Sequence, residues 1–131
     1  MIGYITLGTN DLPCAVEYYD ALFKSIGVGR AMEVDNYFVA WSQSPNVPND
    51  AGIAVTVPFN QEAASVGNGV MVALYMDSTE KVDAFYHKAL ELGGASEGKP
   101  GFRPEGDSKG FYAGYFRDLD GNKLNAFCMV E

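Results

Sequence analysis

An internal repeat constrains this chain more than any other feature of it. Shifted by 67 residues without gaps, Ile5 falls on Val72, Leu7 on Leu74, Tyr18 on Phe85, Tyr19 on Tyr86, Phe23 on Leu90 and Gly27 on Gly94. Few positions are identical, so the shared physical pattern carries the case. In each copy a short apolar strand runs into a capping residue, Asn10 or Asp11 in the first and Asp77 or Ser78 in the second, and a helix then begins. Ala15, Tyr18, Tyr19, Leu22 and Ile26 recur at three- and four-residue steps, as do Val82, Phe85, Tyr86, Ala89 and Leu92. Each helix therefore has one apolar face to lay on a sheet. Gly27 and the pair Gly93-Gly94 follow as helix stops, because glycine adopts the positive φ that closes a last turn.

The remainder of each copy reads as strands: residues 30–34, 37–41 and 53–58 in the first, and a short piece near Ala95, then 111–117 and 123–130, in the second. Asp120-Gly121-Asn122 is a strong hairpin signal between the last two. The expected fold is α+β, with two tandem βαβββ modules over residues 1–58 and 69–131 and a polar linker over 59–68. Half-domains of about 65 residues are marginal alone, so the two are expected to pack as one domain.

Charge and composition narrow the partners. Nine basic and 17 acidic side chains give a net charge of −8, which opposes binding to nucleic acid or to an anionic membrane surface. No apolar run approaches the roughly 20 residues that span a bilayer, and the Met1 end lacks signal-peptide character. A cytoplasmic location is expected. The charge is uneven: residues 1–80 carry 9 acidic and 2 basic side chains, whereas residues 81–131 carry 8 and 7. Attraction for a cation thus belongs to the first module. Cys14 and Cys128 stand in no metal or redox spacing and read as inert thiols, and a single histidine rules out three-histidine and HExxH zinc sites. That histidine, His87, lies opposite the apolar stripe of its helix and reads as solvated.

Strand alternation assigns the faces. Ile5 and Leu7 face the first helix, leaving Tyr4, Thr6 and Gly8 on the far side; Val72, Leu74 and Met76 face the second, leaving Met71, Ala73 and Tyr75. In the last strand Leu124, Ala126 and Cys128 point to the helix, and Asn125, Phe127 and Met129 away from it. An even hairpin loop puts Tyr112, Gly114 and Phe116 beside Asn125, and an odd one reverses them. The expected pocket is lined by Tyr4, Met71, Ala73, Tyr75, Tyr112, Asn125 and Phe127. The glycine-rich segment 97–110 is expected to form a lid that brings Phe102 and Arg103 to a ligand.

The repeated βαβββ plan, the opening Ile2-Gly-Tyr-Ile-Thr-Leu-Gly with Asp11-Leu12 after it, and Phe111-Tyr-Ala-Gly-Tyr-Phe-Arg-Asp-Leu-Asp-Gly-Asn-Lys-Leu-Asn-Ala-Phe resemble the vicinal oxygen chelate superfamily. That superfamily includes glyoxalase I, bleomycin-resistance proteins, fosfomycin-resistance proteins and extradiol dioxygenases. The resemblance covers essentially the whole chain, and Arg117 to Asn122 is its most specific part. It implies that the two modules form a curved mixed sheet with a cup, which in the metalloenzymes holds a divalent metal, with His in the first strand, His in the fifth and Glu in the eighth. Those positions are Tyr4, Met71 and Asn125 here. A tyrosine must first lose a proton of reference pKa about 10, a thioether suits Cu(I), and an amide brings no charge. No metal cofactor is therefore expected.

Three functions follow: a metal-free member that binds a small organic molecule in the cup, as bleomycin-resistance-type proteins do; a lyase, isomerase or dioxygenase with a nonstandard metal site or a Tyr4 or Tyr112 acid or base; or an interaction protein whose cup is filled. The resemblance also implies a homodimer.

Overall fold

The computed structural model describes all residues except Pro45, Asn46, Pro48 and Asn49. Its elements run β1 (Tyr4–Gly8), α1 (Leu12–Lys24), β2 (Gly29–Val34), β3 (Phe38–Ser42), β4 (Gly52–Thr56), β5 (Val72–Tyr75), α2 (Thr79–Glu91), β6 (Ala95–Arg103), β7 (Gly110–Arg117) and β8 (Lys123–Val130). The order is βαβββ twice. The chain divides into two compact units, Met1–Val66 and Gly67–Glu131, and the division falls inside the segment 59–68. Each unit builds its own four-stranded mixed sheet, β1-β4-β3-β2 in the first and β5-β8-β7-β6 in the second. In each, the first strand lies parallel to the last, and the others run antiparallel. Among the described residues no helix is long and apolar enough to cross a membrane.

In the first unit, Asp11 caps α1 by accepting from the Cys14 amide at 3.1 Å, and proline stands in the first turn where no amide partner is needed. The helix stops at Lys24, two residues short of Ile26, and Gly27 with φ +74° turns the chain away. Its buried face of Ala15, Tyr18, Tyr19, Leu22 and Phe23 packs on Leu7, Val39, Trp41 and Val55. Trp41 sits 5.7 Å, centroid to centroid, from both Tyr19 and Phe23. Its indole N–H donates to Asp20 at 2.9 Å, so the largest core side chain hides no unpaired donor.

In the second unit, Ser78 caps α2 through the Lys81 amide at 3.2 Å. Val82, Phe85, Tyr86 and Ala89 cover Phe116, Leu124, Ala126 and Cys128. Gly114 of β7 lies where α2 comes closest: a Cβ there would stand 3.2 Å from the Tyr86 ring and 3.0 Å from Pro100. A side chain there requires Tyr86 or Pro100 to give way by a few tenths of an ångström.

The β7–β8 connection, Asp118 to Asn122, is held by one buried carboxylate. Asp118 accepts from the amides of Asp120 and Asn122 and from the Asn122 side chain, each at 2.9 Å. Gly121, at φ +88°, supplies the left-handed turn residue. Arg117 opposite Lys123 makes the connection five residues long, and the odd number decides the register: Tyr112 lies opposite Cys128 and Tyr115 opposite Asn125. Tyr112, Gly114 and Phe116 therefore face α2, and Phe111, Ala113 and Tyr115 face away from it.

The expected lid is corrected most strongly. Residues 95–103 are a nine-residue edge strand, and only 104–109 connect it to β7. Its register against β7 slips between Ser96 and Gly98 and again between Gly98 and Gly101, which erases the two-residue alternation that marks a strand.

Removing the Asp118 carboxylate leaves three donors without their charged acceptor. Asp118→Ala is expected to lower stability by about 1.5–3 kcal/mol in urea unfolding, and Gly114→Ala by about 1–3 kcal/mol through overpacking. A neutral outcome for Asp118→Ala contradicts its role in setting the hairpin.

Candidate functional site

The far face of the second sheet can be read row by row from the register. Ala73, Asn125, Tyr115 and Gly98 form one row, and Tyr75, Phe127, Ala113 and Gly101 the next. Met129, Phe111 and Arg103 continue the face at one end, and Lys123 and Arg117 at the other. The second row is an aromatic surface: Phe127 stacks on Phe111 at 5.4 Å and meets Tyr75 edge-on at 5.8 Å. Tyr75 remains 68% exposed.

The first row is polar. Asn125 is 1% exposed, and among the described residues neither its amide nitrogen nor its amide oxygen has a hydrogen-bond partner. A buried polar group in that condition costs about 1–3 kcal/mol, and proteins rarely carry one without a reason. Its neighbour Tyr115 has the Arg103 guanidinium 5.5 Å and the Lys123 ammonium 5.6 Å from its ring centroid. The alternation of β8 pointed to Asn125 and Phe127. Tyr115, Phe111 and Lys123 were missed, and the five-residue count from Asp118 to Asn122 was the signal that would have found them.

Two of the expected pocket residues lie elsewhere. Tyr112 faces α2, where its hydroxyl donates to Asp83 at 2.7 Å. Burial first, and then the Asp83 carboxylate, push that phenol up to about 12. Phe102, opposite Tyr112 in register, packs edge-on against it at 5.0 Å, on the helix side. Arg103 does reach the far face, but from within β6 rather than from a lid. Met71 stands just before β5 and is 39% exposed.

The first unit has a far face of its own. Tyr4, 63% exposed, meets Phe38 edge-on at 6.0 Å. Between them the face is floored by small residues: Gly52, Thr6, Ala54 and Ala40. Ala64 closes over one end, where a Cβ on Gly8 would lie 3.0 Å from it, and Asn10 exchanges two hydrogen bonds with the Ala64 backbone.

A divalent metal does not suit the residues at the corresponding positions. Tyr4, Met71 and Asn125 offer a phenol, a thioether and a neutral amide, with no carboxylate or imidazole to neutralise a dication. Among the described residues, no group of three or more His, Cys, Asp or Glu side chains is placed to hold one. The geometry offers instead an aromatic surface bordered by two cations and an amide.

Residues 1–126 match the family model described as Glyoxalase/Bleomycin resistance protein/Dioxygenase superfamily. A glyoxalase/bleomycin resistance protein from Albidiferax ferrireducens T118 is 31% identical, with 98% of each chain covered and a TM-score of 0.81. A glyoxalase-related enzyme from Fulvimarina pelagi is 18% identical over 98% of this chain and 87% of that one, with a TM-score of 0.72. A lactoylglutathione lyase from Agrobacterium tumefaciens, also 18% identical, covers 98% and 92% with a TM-score of 0.67; at such identity both show a shared fold alone. No curated protein matches the sequence. With a family model spanning nearly the whole chain and a solved relative at 31% identity, the chain belongs to the glyoxalase/bleomycin resistance protein/dioxygenase superfamily.

Proposed function

We propose that this chain binds a small organic molecule on the far face of its second sheet without the metal typical of the superfamily's enzymes. The observation that carries the reading is Asn125. A buried amide with no partner stands where the metalloenzymes are expected to place a carboxylate. An amide can donate and accept a hydrogen bond but cannot neutralise a dication. The flat, partly exposed surface of Phe127, Tyr75 and Phe111 beside it supplies apolar contact area.

The alternative that uses a tyrosine as acid or base loses Tyr112, which is bound to Asp83 on the helix side with its proton held more tightly than in free tyrosine. Tyr4 is left as the candidate for that chemistry.

The reading predicts saturable thermal stabilisation by members of a small-molecule library, unchanged by a chelator. A ligand at a hundred times its Kd adds about 2.7 kcal/mol, and Ala73→Phe, which fills the face beside Asn125, is expected to abolish the effect. A stoichiometric divalent metal in protein purified without an affinity tag, lost on Asn125→Ala, overturns it. The Tyr112 assignment has its own test in alkaline titration by ultraviolet absorbance. A phenol raised in the folded state contributes stability that is intact below pH 10 and lost as pH rises toward 12. Tyr112→Phe protein should therefore lose less stability than the parent across that range.

A further inference from the structure

Building on the proposed function, we infer that the ligand of the second sheet's far face carries a carboxylate on a planar aromatic body, its charge set against Arg103 and Lys123 and its oxygens within reach of Asn125. Three observations converge on one row of the sheet.

Arg103 is held in place. Its guanidinium donates to the carbonyls of Lys99 at 3.0 Å and Phe102 at 3.1 Å. It lies over β6 where side chains are missing: a Cβ on Gly101 would stand 3.1 Å from one terminal nitrogen, and one on Gly98 3.4 Å from the other. A guanidinium has five N–H donors in a fixed fork, so the two backbone bonds leave donors to spare.

Neither cation beside Tyr115 is neutralised at contact distance. Among the described residues, Arg30, Lys81, Lys88 and Arg117 each reach a carboxylate within 4.0 Å, and neither Arg103 nor Lys123 has such an ion pair. The acid nearest in influence is Glu97, whose carboxyl is held below its ordinary range first by its bond to Arg117 and only last by the charge of Lys123. Glu97 is already committed to Arg117 at 2.8 Å. In a chain of net charge −8, two such cations thus stand around one ring.

The third observation is the Asn125 amide, next to Tyr115 across the strands and without a partner. Its donor complements a carboxylate oxygen. The adjoining row of Phe127, Tyr75 and Ala113 then receives a flat ring. Asn125 lies between Tyr115 on one neighbouring strand and Ala73, small and exposed, on the other. A cationic ligand has no counter-charge on this row.

The test is isothermal titration of the full chain with 1-naphthoate, its neutral isostere 1-naphthamide, and 1-naphthylmethylammonium. Naphthoate is expected to bind at least tenfold more tightly than naphthamide, and the ammonium more weakly than either. Arg103→Gln and Lys123→Gln should each weaken naphthoate by about tenfold and leave naphthamide unchanged, whereas Asn125→Ala should weaken both. Retained far-ultraviolet circular dichroism checks folding, and Lys123→Gln carries the test if Arg103→Gln disturbs β6. Equal affinity for naphthoate and naphthamide, unaffected by both cation variants, overturns the carboxylate inference and leaves small-molecule binding standing. Preference for the ammonium overturns it in the same way. Absence of binding by all three probes overturns the inference for this face, and only a parallel absence of stabilisation across the wider library overturns the proposed function.

Discussion

The buried Asp118 carboxylate is the interaction on which the site depends. By gathering two backbone amides and one side-chain amide it stabilises a connection of five residues between β7 and β8. Because side chains alternate along a strand, one residue more or less in that connection would exchange the faces of β7 against β8. Tyr115 would then face α2, and Phe116, now in the core against Phe85, would face away from it. Core and candidate site are thus set by one turn. This gives the Arg-Asp-Leu-Asp-Gly-Asn stretch a structural meaning separate from any contact with a ligand.

The helix-facing side and the far side differ in how completely their polar groups are satisfied. On the helix side, Trp41 finds Asp20, Tyr86 donates to Ser96 at 2.5 Å, and Tyr112 finds Asp83. Each polar tip entering the core has a partner, as burial demands. On the far side of the second sheet Asn125 has none, and two cations stand beside a ring with no acid at contact distance. Among the described residues, the buried side-chain polar atoms left without a partner are the two of Asn125. Such a departure from the rules that stabilise a fold is what a binding site requires of its protein.

Much of this was legible in the sequence. The 67-residue offset and the three- and four-residue apolar steps gave both helices, their caps and the βαβββ order, because those signals depend only on neighbours in the chain. The faces of β5 and β8 were also readable, so Ala73, Tyr75, Asn125 and Phe127 fell together as alternation requires. What escaped was non-local. β6 was obscured because its two register slips at glycines break the alternation. Tyr112 was misplaced by the parity of a turn and Phe102 because strand β6 was read as a lid, and both belong to the helix-facing side. Uneven charge along the chain had already set the basic residues in its second half, but only the fold brings Arg103 and Lys123 to one ring.

The proposed binding depends on the far face of the second sheet receiving a ligand through Asn125. The most direct measurement is a crystal structure of the full chain with bound 1-naphthoate. The expected result is a carboxylate oxygen within hydrogen-bond distance of the Asn125 amide nitrogen, with Arg103 and Lys123 alongside and the ring over Phe127. Naphthoate bound elsewhere with the Asn125 amide still unpartnered, or a metal ion coordinated by the Asn125 side chain, contradicts it.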